Sequence, residues 1–204
     1  AKDAAGTILW SWHIWLTDQP QGQIYNNNAG TMMDRNLGAT NTAPGEVGAL
    51  GLLYQWGRKD PFLGSSSISS SIEAKSTIAW PSPVSSDSST GTVDYVTSHP
   101  TTFVTGGYDW HYSSRDNTLW QSEKTIYDPC PVGWRVPDGG DNGVWATAKG
   151  SSLFYDRSYD STNEGMNFSG DFGIASTIWY PASGYRTNDD GALDDVGYGG
   201  YSWS

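Results

Sequence analysis

Four carboxylates, those of Asp189, Asp190, Asp194 and Asp195, lie within seven positions near the end of the sequence. Such a group attracts a hard cation, because Ca²⁺ takes about six to eight oxygen ligands in flexible geometry. The spacing is not that of an EF-hand, since no Glu closes the loop. We predict a calcium site at these four residues. The alternative is an acidic turn that stays solvated.

The run from Tyr108 to Tyr112 alternates aromatic rings with hydrogen-bonding groups. A ring on a loop stacks on the apolar C–H face of a sugar, while neighbouring polar groups bind the hydroxyls. This pattern is typical of a carbohydrate platform. The alternative is that the rings pack a long loop onto its own domain. We predict ligand contacts at four residues: Trp110, Tyr112, Tyr185 and Asn188.

Catalytic patterns are weak. The histidines, His13, His99 and His111, lack metal-ligand spacing, and no Gly-x-Ser-x-Gly motif marks a nucleophile. Nothing marks two of the 22 acidic residues as the buried pair that glycoside hydrolysis needs. The single cysteine, Cys130, excludes an intrachain disulfide and a cysteine-based zinc cluster. We predict that the protein is not an enzyme and that His13 is a hydrogen-bonded core residue.

Composition limits the classes of partner. The 204 residues suit one domain, and 14% are aromatic, which argues against disorder. The net charge of −11 repels phosphate, so nucleic acid and anionic lipid are poor partners. No apolar stretch is long enough to span a membrane. The abundance of Ser, Thr, Gly and Asn, with few Lys, favours a secreted or cell-surface protein.

The elements that must position these residues are short. Period-two alternation predicts a strand over residues 7–16, with a second strand near 31–34 and a short helix over 47–56. The Ser-rich stretch 64–89 predicts a surface loop, and residues 93–96 and 102–104 are typical of extended pieces.

Three prolines in residues 128–137 predict an irregular, rigid segment. A short helix is expected from Asn142 to Lys149, capped by Asp141 or Asn142 and ended by Gly150. Short strands and turns follow. The pattern favours an α+β fold that is mainly β and loop-rich.

Two further groups are expected to be structural. The motif arginines, Arg35 and Arg58, are expected to form ion pairs with Asp34, Asp60 or Asp128, with ligand binding as the alternative. Tryptophans in regular or motif segments are expected in the core, because a buried indole contributes a large apolar area. They are Trp10, Trp12, Trp56, Trp134, Trp145 and Trp203.

Four segments occur in a distinctive order. They read MDRNLGA at 33–39, GLLYQWGRKDPF at 51–62, CPVGWRVP at 130–137, and YPASGYR at 180–186 with GYSWS at 200–204. In this order the chain resembles the Fibrobacter succinogenes major paralogous domain, in the form found at the C-terminal end of Bacteroides fimbrillin-like surface lipoproteins. The resemblance covers nearly the whole chain outside the Ser-rich stretch.

The resemblance implies one C-type-lectin-like domain over 1–204, with an inserted loop region at 64–125. It also implies export and attachment to the bacterial cell surface through an N-terminal part outside this chain. Members of this family continue past the Trp203-Ser204 pair. We therefore expect closing strands, and a second cysteine to pair with Cys130, to be missing.

These expectations lead to one preferred function. The protein is predicted to be a fimbrial or surface adhesion module that binds a glycan or a surface protein through its loop face, helped by Ca²⁺. The first alternative is a structural domain that contacts other pilus subunits and binds no small ligand. A polysaccharide hydrolase is the second.

Overall fold

A computed structural model describes residues 1–69, 82–107, 109–149, 158–168 and 179–203. Residues 70–81 of the Ser-rich stretch, together with Tyr108, Gly150 and Ser204, figure in the sequence predictions but lie outside these ranges. The described chain is mainly strands and loops with few helices, which confirms the β-rich α+β prediction. Its strands are β1 (Gly22–Tyr25), β2 (Gly30–Met33), β3 (Val84–Ser85), β4 (Val104–Thr105), β5 (Ser158–Asp160), β6 (Gly165–Asn167), β7 (Trp179–Pro181), β8 (Ser183–Arg186) and β9 (Leu193–Val196).

The strands form four small sheets. Strands β1 and β2 make an antiparallel hairpin, which confirms the strand predicted near 31–34, and β3 pairs with β4 in parallel. Strands β5, β6 and β7 form an antiparallel sheet in that order. Strands β8 and β9 form a second hairpin, in which Arg186 lies opposite Leu193, so the acidic residues 189 and 190 fall in its turn.

Two helices flank these sheets. Helix α2 (Val144–Lys149) confirms the predicted helix but begins two residues late, after a 3-10 turn at Gly140–Asn142. Helix α1 (Val93–Ser98) replaces the extended piece predicted at 93–96. The Thr92 side chain accepts a hydrogen bond from the Tyr95 N–H, and this N-cap outweighs the strand preference of the valines.

Among the described residues, the core contains two hydrophobic clusters. In the first, the buried side chains of Tyr25, Val144 and Ala148 pack helix α2 against the first hairpin. The second contains Val96, Val104, Trp110 and Leu119. It attaches helix α1 and β4 to the loop that follows them.

The strand predicted over residues 7–16 does not form. An isolated bridge between Lys2 and Ile8 is the sole strand pairing described there, and the rest of the segment follows the surface. Trp12 is 70% exposed rather than buried, and His13 is exposed as well. The alternation is that of an extended chain, but no described neighbouring strand pairs with it.

The helix predicted over 47–56 is reduced to a 3-10 turn at Val47–Ala49, because Gly51 takes a φ of +75° that ends it. A bridge between Leu53 and Phe62 then closes the loop that carries Arg58. The predicted pair of Arg35 with Asp34 is confirmed at 2.8 Å.

Arg58 corrects the other ion-pair prediction. Its guanidinium is buried, and it donates to the Gln55 side-chain oxygen and the Thr102 carbonyl, both at 2.8 Å, rather than to a carboxylate. Burial lowers the pKa of Arg58 to about 10. Asp60 instead pairs with Lys59.

The proline-rich segment 128–137 has no helix or strand, as predicted. The buried carboxylate of Asp128 holds its two ends together. It accepts the Cys130 N–H at 2.8 Å and the Val136 N–H at 2.9 Å, and it pairs with Lys124 at 2.7 Å.

Candidate functional site: an aromatic cleft

A cleft of about 910 Å³ opens where distant parts of the chain meet. Its walls include residues from 29–37, 50–56, 103–106, 109–110, 129–138 and 180–203. Two features explain this convergence. The Leu53–Phe62 bridge fixes the segment 50–56, and the Asp128 hydrogen bonds fix the segment 129–138.

Three tryptophan rings are in contact at one end of the cleft. The Trp56 ring contacts Trp120 at 5.0 Å and Trp203 at 5.7 Å, both nearly edge to face. Trp120 is buried and donates its indole N–H to the Tyr127 carbonyl, whereas Trp203 is 44% exposed and donates to the Tyr54 carbonyl at 2.7 Å. The half-buried Trp56 and the buried Trp120 therefore support one ring that stays partly open to solvent.

Polar groups lie beside these rings. The Arg115 guanidinium lies 5.7 Å from the centre of the Trp56 ring, and its Nε is 3.8 Å from Asp109 Oδ2. That distance is too long for a hydrogen bond. Among the described residues, Asp109 Oδ2 and Trp56 Nε1 are buried without a hydrogen-bond partner. Because the Arg115 side chain is 52% exposed, it can move aside and leave the carboxylate to a ligand hydroxyl.

A smaller cavity of about 290 Å³ shares Trp56, Arg115 and Trp120 with the cleft. These three side chains therefore lie between the two cavities. The second carboxylate of the cleft wall, Asp138, also lines the small cavity, where Arg135 binds it at 2.6 Å. The hydrogen bonds of Arg135 and Ser122 lower the pKa of Asp138.

The pKa of Asp138 bears on the hydrolase alternative. A glycosidase needs a general acid whose pKa is raised, and that of Asp138 is shifted in the opposite direction. The direction of this shift does not suit Asp138 to the role of general acid.

Three of the four residues predicted to bind a ligand line the cleft: Trp110, Tyr185 and Asn188. Their roles differ from the prediction. Trp110 is 3% exposed and donates its indole N–H to the Trp56 carbonyl at 2.5 Å. It is a core residue, so its face cannot stack on a sugar, and the alternative of loop packing holds for it.

The other three residues predicted to contact a ligand have different surroundings. Asn188 donates to the Gly106 carbonyl at 2.9 Å, which ties the second hairpin to the loop after β4. The Tyr185 ring contacts Tyr201 edge to face, at 4.8 Å between ring centres, at the rim of the cleft. Tyr112 is 53% exposed and is not part of the cleft lining.

The four carboxylates predicted to bind calcium do not converge. Asp190 accepts the Ala192 N–H at 2.8 Å and the Thr187 hydroxyl, and these bonds lower its pKa. Asp194 accepts from Tyr185 at 3.2 Å, and Asp195 accepts from Tyr201 at 2.5 Å. Across the described ranges, no group of three or more His, Cys, Asp or Glu side chains could hold a metal ion. This geometry gives the calcium prediction no support.

The single thiol also lines the cleft. Desolvation and the nearby Asp128 raise the pKa of Cys130 to about 12. The thiol therefore stays protonated at neutral pH, which is the reverse of a reactive cysteine.

Sequence reasoning missed the centre of this site. Trp56 and Trp203 were assigned to the core, Arg115 was not assigned a role, and Asp109 was considered only as a hydrogen-bonding group within the run 108–112. The sequence places Asp109 within that run and Arg115 three residues after it, but charge at these positions is equally typical of a solvated loop.

No family model, curated protein or solved structure matches this chain. In the described part of the chain, the helices are too short and too polar to cross a membrane. The function must therefore be argued from the cleft.

Proposed function

We propose that this chain is a non-enzymatic, cell-surface binding module that holds a carbohydrate in the aromatic cleft. The observation that carries this proposal is the partly exposed Trp203 ring, in edge-to-face contact with Trp56, in a cleft that is also lined by Asp109, whose buried Oδ2 has no hydrogen-bond partner. This combination suits a sugar, which offers an apolar face and hydroxyl donors on one ring.

Each side chain has a distinct role in the proposal. The exposed part of Trp203 stacks on the C–H face of the sugar. Asp109 Oδ2 accepts a hydrogen bond from a sugar hydroxyl, and Arg115 donates a hydrogen bond to the oxygen of a neighbouring hydroxyl. The buried Trp120 and Trp110 hold Trp56 in place and do not touch the ligand.

The proposal revises the site predicted from sequence. The ligand now lies in the cleft rather than on the loop face, the surface that was predicted to carry Trp110, Tyr112, Tyr185 and Asn188. The proposal retains the C-type-lectin-like fold and the adhesive role that the resemblance to the fimbrillin-like lipoproteins implies. Calcium has no role in it.

The test is isothermal titration of a panel of neutral oligosaccharides into the intact chain. A hydrogen bond to a charged group contributes about 1.5–3 kcal/mol, so we expect Asp109→Asn to weaken binding by roughly 10- to 100-fold. Loss of one stacking contact in Trp203→Ala should weaken it by roughly tenfold.

Matched controls separate the cleft from the loop face. Tyr112→Ala and Tyr198→Ala each remove an exposed ring that is not part of the cleft lining, and both should bind as the parent does. If Tyr112→Ala abolished binding and Trp203→Ala did not, the site would lie on the loop face. No binding by any sugar would refute the proposal, and release of reducing ends would refute its non-enzymatic part.

A further inference from the structure

The N-terminal segment, residues 11–17, contacts the domain through alternate side chains. The Ser11 hydroxyl donates to Asp60 at 2.5 Å, the Trp15 indole to the Ala39 carbonyl at 2.8 Å, and Thr17 accepts from Arg35 at 2.9 Å. This period of two is that of an extended chain. The segment is therefore held in place along one face.

The opposite face is apolar and open to solvent. Trp12 is 70% exposed, Ile14 is 87% exposed and Leu16 is 88% exposed. Three large apolar side chains at alternate positions, on a segment that is hydrogen-bonded to the domain, are costly to hydrate. Such a stripe indicates an interaction surface.

The backbone of the segment is open as well. Within the described ranges, no N–H or C=O group of residues 12–17 makes a backbone–backbone hydrogen bond. An unpaired extended backbone is a template for another strand. A regular row of donors and acceptors is matched by a polypeptide and not by a glycan or a lipid, so the partner is a protein.

The charge and the side-chain pattern of residues 11–17 indicate which protein pairs with them. Residues 11–17 contain no Asp, Glu, Lys, Arg, Gly or Pro, which are the residues that protect exposed edges from pairing. The chain carries a net charge of −11, but residues 11–17 contain no side chain that is charged at pH 7. Two copies can therefore meet at this segment without repulsion between its side chains. Its pattern is also self-complementary about Ile14.

We infer that residues 12–16, which precede a bend at Thr17, pair with the same residues of a second copy, antiparallel and centred on Ile14. Trp12 of one chain then lies opposite Leu16 of the partner subunit, and the two Ile14 side chains lie opposite each other. Cross-strand neighbours point to the same face, so the exposed apolar side chains pack against one another. The contact is small, and the association is reversible.

Sedimentation velocity of the intact chain over a wide concentration range tests the association. We expect a shift from 22.1 kDa towards twice that mass as concentration rises. Ile14→Lys should remain monomeric, because it places two like charges opposite each other. Ile126→Lys changes another exposed isoleucine, 70% exposed, and should dimerise normally. A parent chain that stays monomeric at millimolar concentration would overturn the inference.

Oxidative cross-linking tests the register. In a Cys130→Ser background, Ile14→Cys places two thiols on directly opposed residues, whose Cα atoms lie about 4.5–5.5 Å apart, within reach of a disulfide. In Leu16→Cys the thiols are four residues apart along the strands, about 14 Å, which is too far. Efficient cross-linking at 14 but not at 16 is expected. Equal or stronger cross-linking at 16 would overturn the register.

Discussion

Replacing Asp128 by Asn tests what holds the cleft wall in place. The carboxylate is fully buried, with its Oδ1 accepting from Lys124 and the Cys130 N–H and its Oδ2 accepting from the Val136 N–H. It thus fastens both ends of the irregular segment 128–137 in the absence of helix or sheet hydrogen bonds. The substitution keeps the shape of the side chain and changes only its charge and one acceptor.

The magnitude follows from these contacts. In either orientation the new amide directs its NH₂ group at a buried N–H, which leaves two donors facing each other. An unsatisfied buried donor costs about 1–3 kcal/mol, and breaking a buried ion pair costs about 3–5 kcal/mol. Lys124 is 32% exposed and can turn to water, which places the loss at the lower end of that range. We expect the free energy of unfolding to fall by about 3 kcal/mol.

Urea unfolding followed by tryptophan fluorescence measures this loss. For a chain of this size the expected change corresponds to a melting temperature lower by roughly 6–12 °C. Asp138→Asn is the matched control, because that carboxylate is 48% exposed and its pair with Arg135 contributes less than about 1 kcal/mol. If Asp128→Asn cost no more than Asp138→Asn, packing rather than the carboxylate would hold the segment.

Three further predictions concern backbone strain, a buried hydroxyl pair and the thiol. Gly184→Ala should lower the free energy of unfolding by about 3 kcal/mol in thermal denaturation. The reason is that Gly184 has a φ of +66° and its Cβ would lie 2.2 Å from a backbone oxygen; Gly107→Ala meets open space and should be neutral. Tyr25→Phe removes one partner of the 3.0 Å bond to the Tyr180 hydroxyl and should cost about 1 kcal/mol in urea, since that hydroxyl keeps its bond to the Met33 carbonyl. Cys130 should react with Ellman's reagent at pH 8 only in denaturant. The pKa of this thiol is about 12 in the native protein and 9.0 in an unfolded chain, so the unfolded state loses its proton first as the pH rises. The free energy of unfolding, measured relative to Cys130→Ser, should therefore fall between pH 9 and pH 12. A native thiol that reacts freely at pH 8 would contradict the burial of Cys130.

Local patterns were read correctly where the deciding contacts are also local. The adjacent Asp34 and Arg35 form the predicted ion pair, and helix α2 lies within the predicted range. Helix α1 was missed because β-branched and aromatic residues resemble a strand. The cap at Thr92 decided the outcome, although its signal was a single residue in the sequence.

Contacts between distant parts of the chain could not be read. Alternation predicted an extended conformation for residues 7–16, but it does not say whether another strand lies alongside. For Arg58, sequence favoured a carboxylate partner, yet its best acceptors include a carbonyl 44 positions away. Likewise, Trp203 and Tyr54 are 149 positions apart, so nothing in the sequence distinguished Trp203 from a core tryptophan.

The loop 56–62 links the two proposed binding surfaces. Trp56 supports the cleft, while Lys59 donates to the Ser11 carbonyl at 3.1 Å and lies 4.5 Å from the Trp10 ring, which holds the N-terminal segment. A substitution in this loop would therefore affect sugar binding and dimerisation together and could not tell them apart. Trp203 and Ile14 touch only one surface each. If Trp203→Ala weakened sugar binding but left dimerisation intact, and Ile14→Lys did the reverse, the two surfaces would be independent even though one loop positions both.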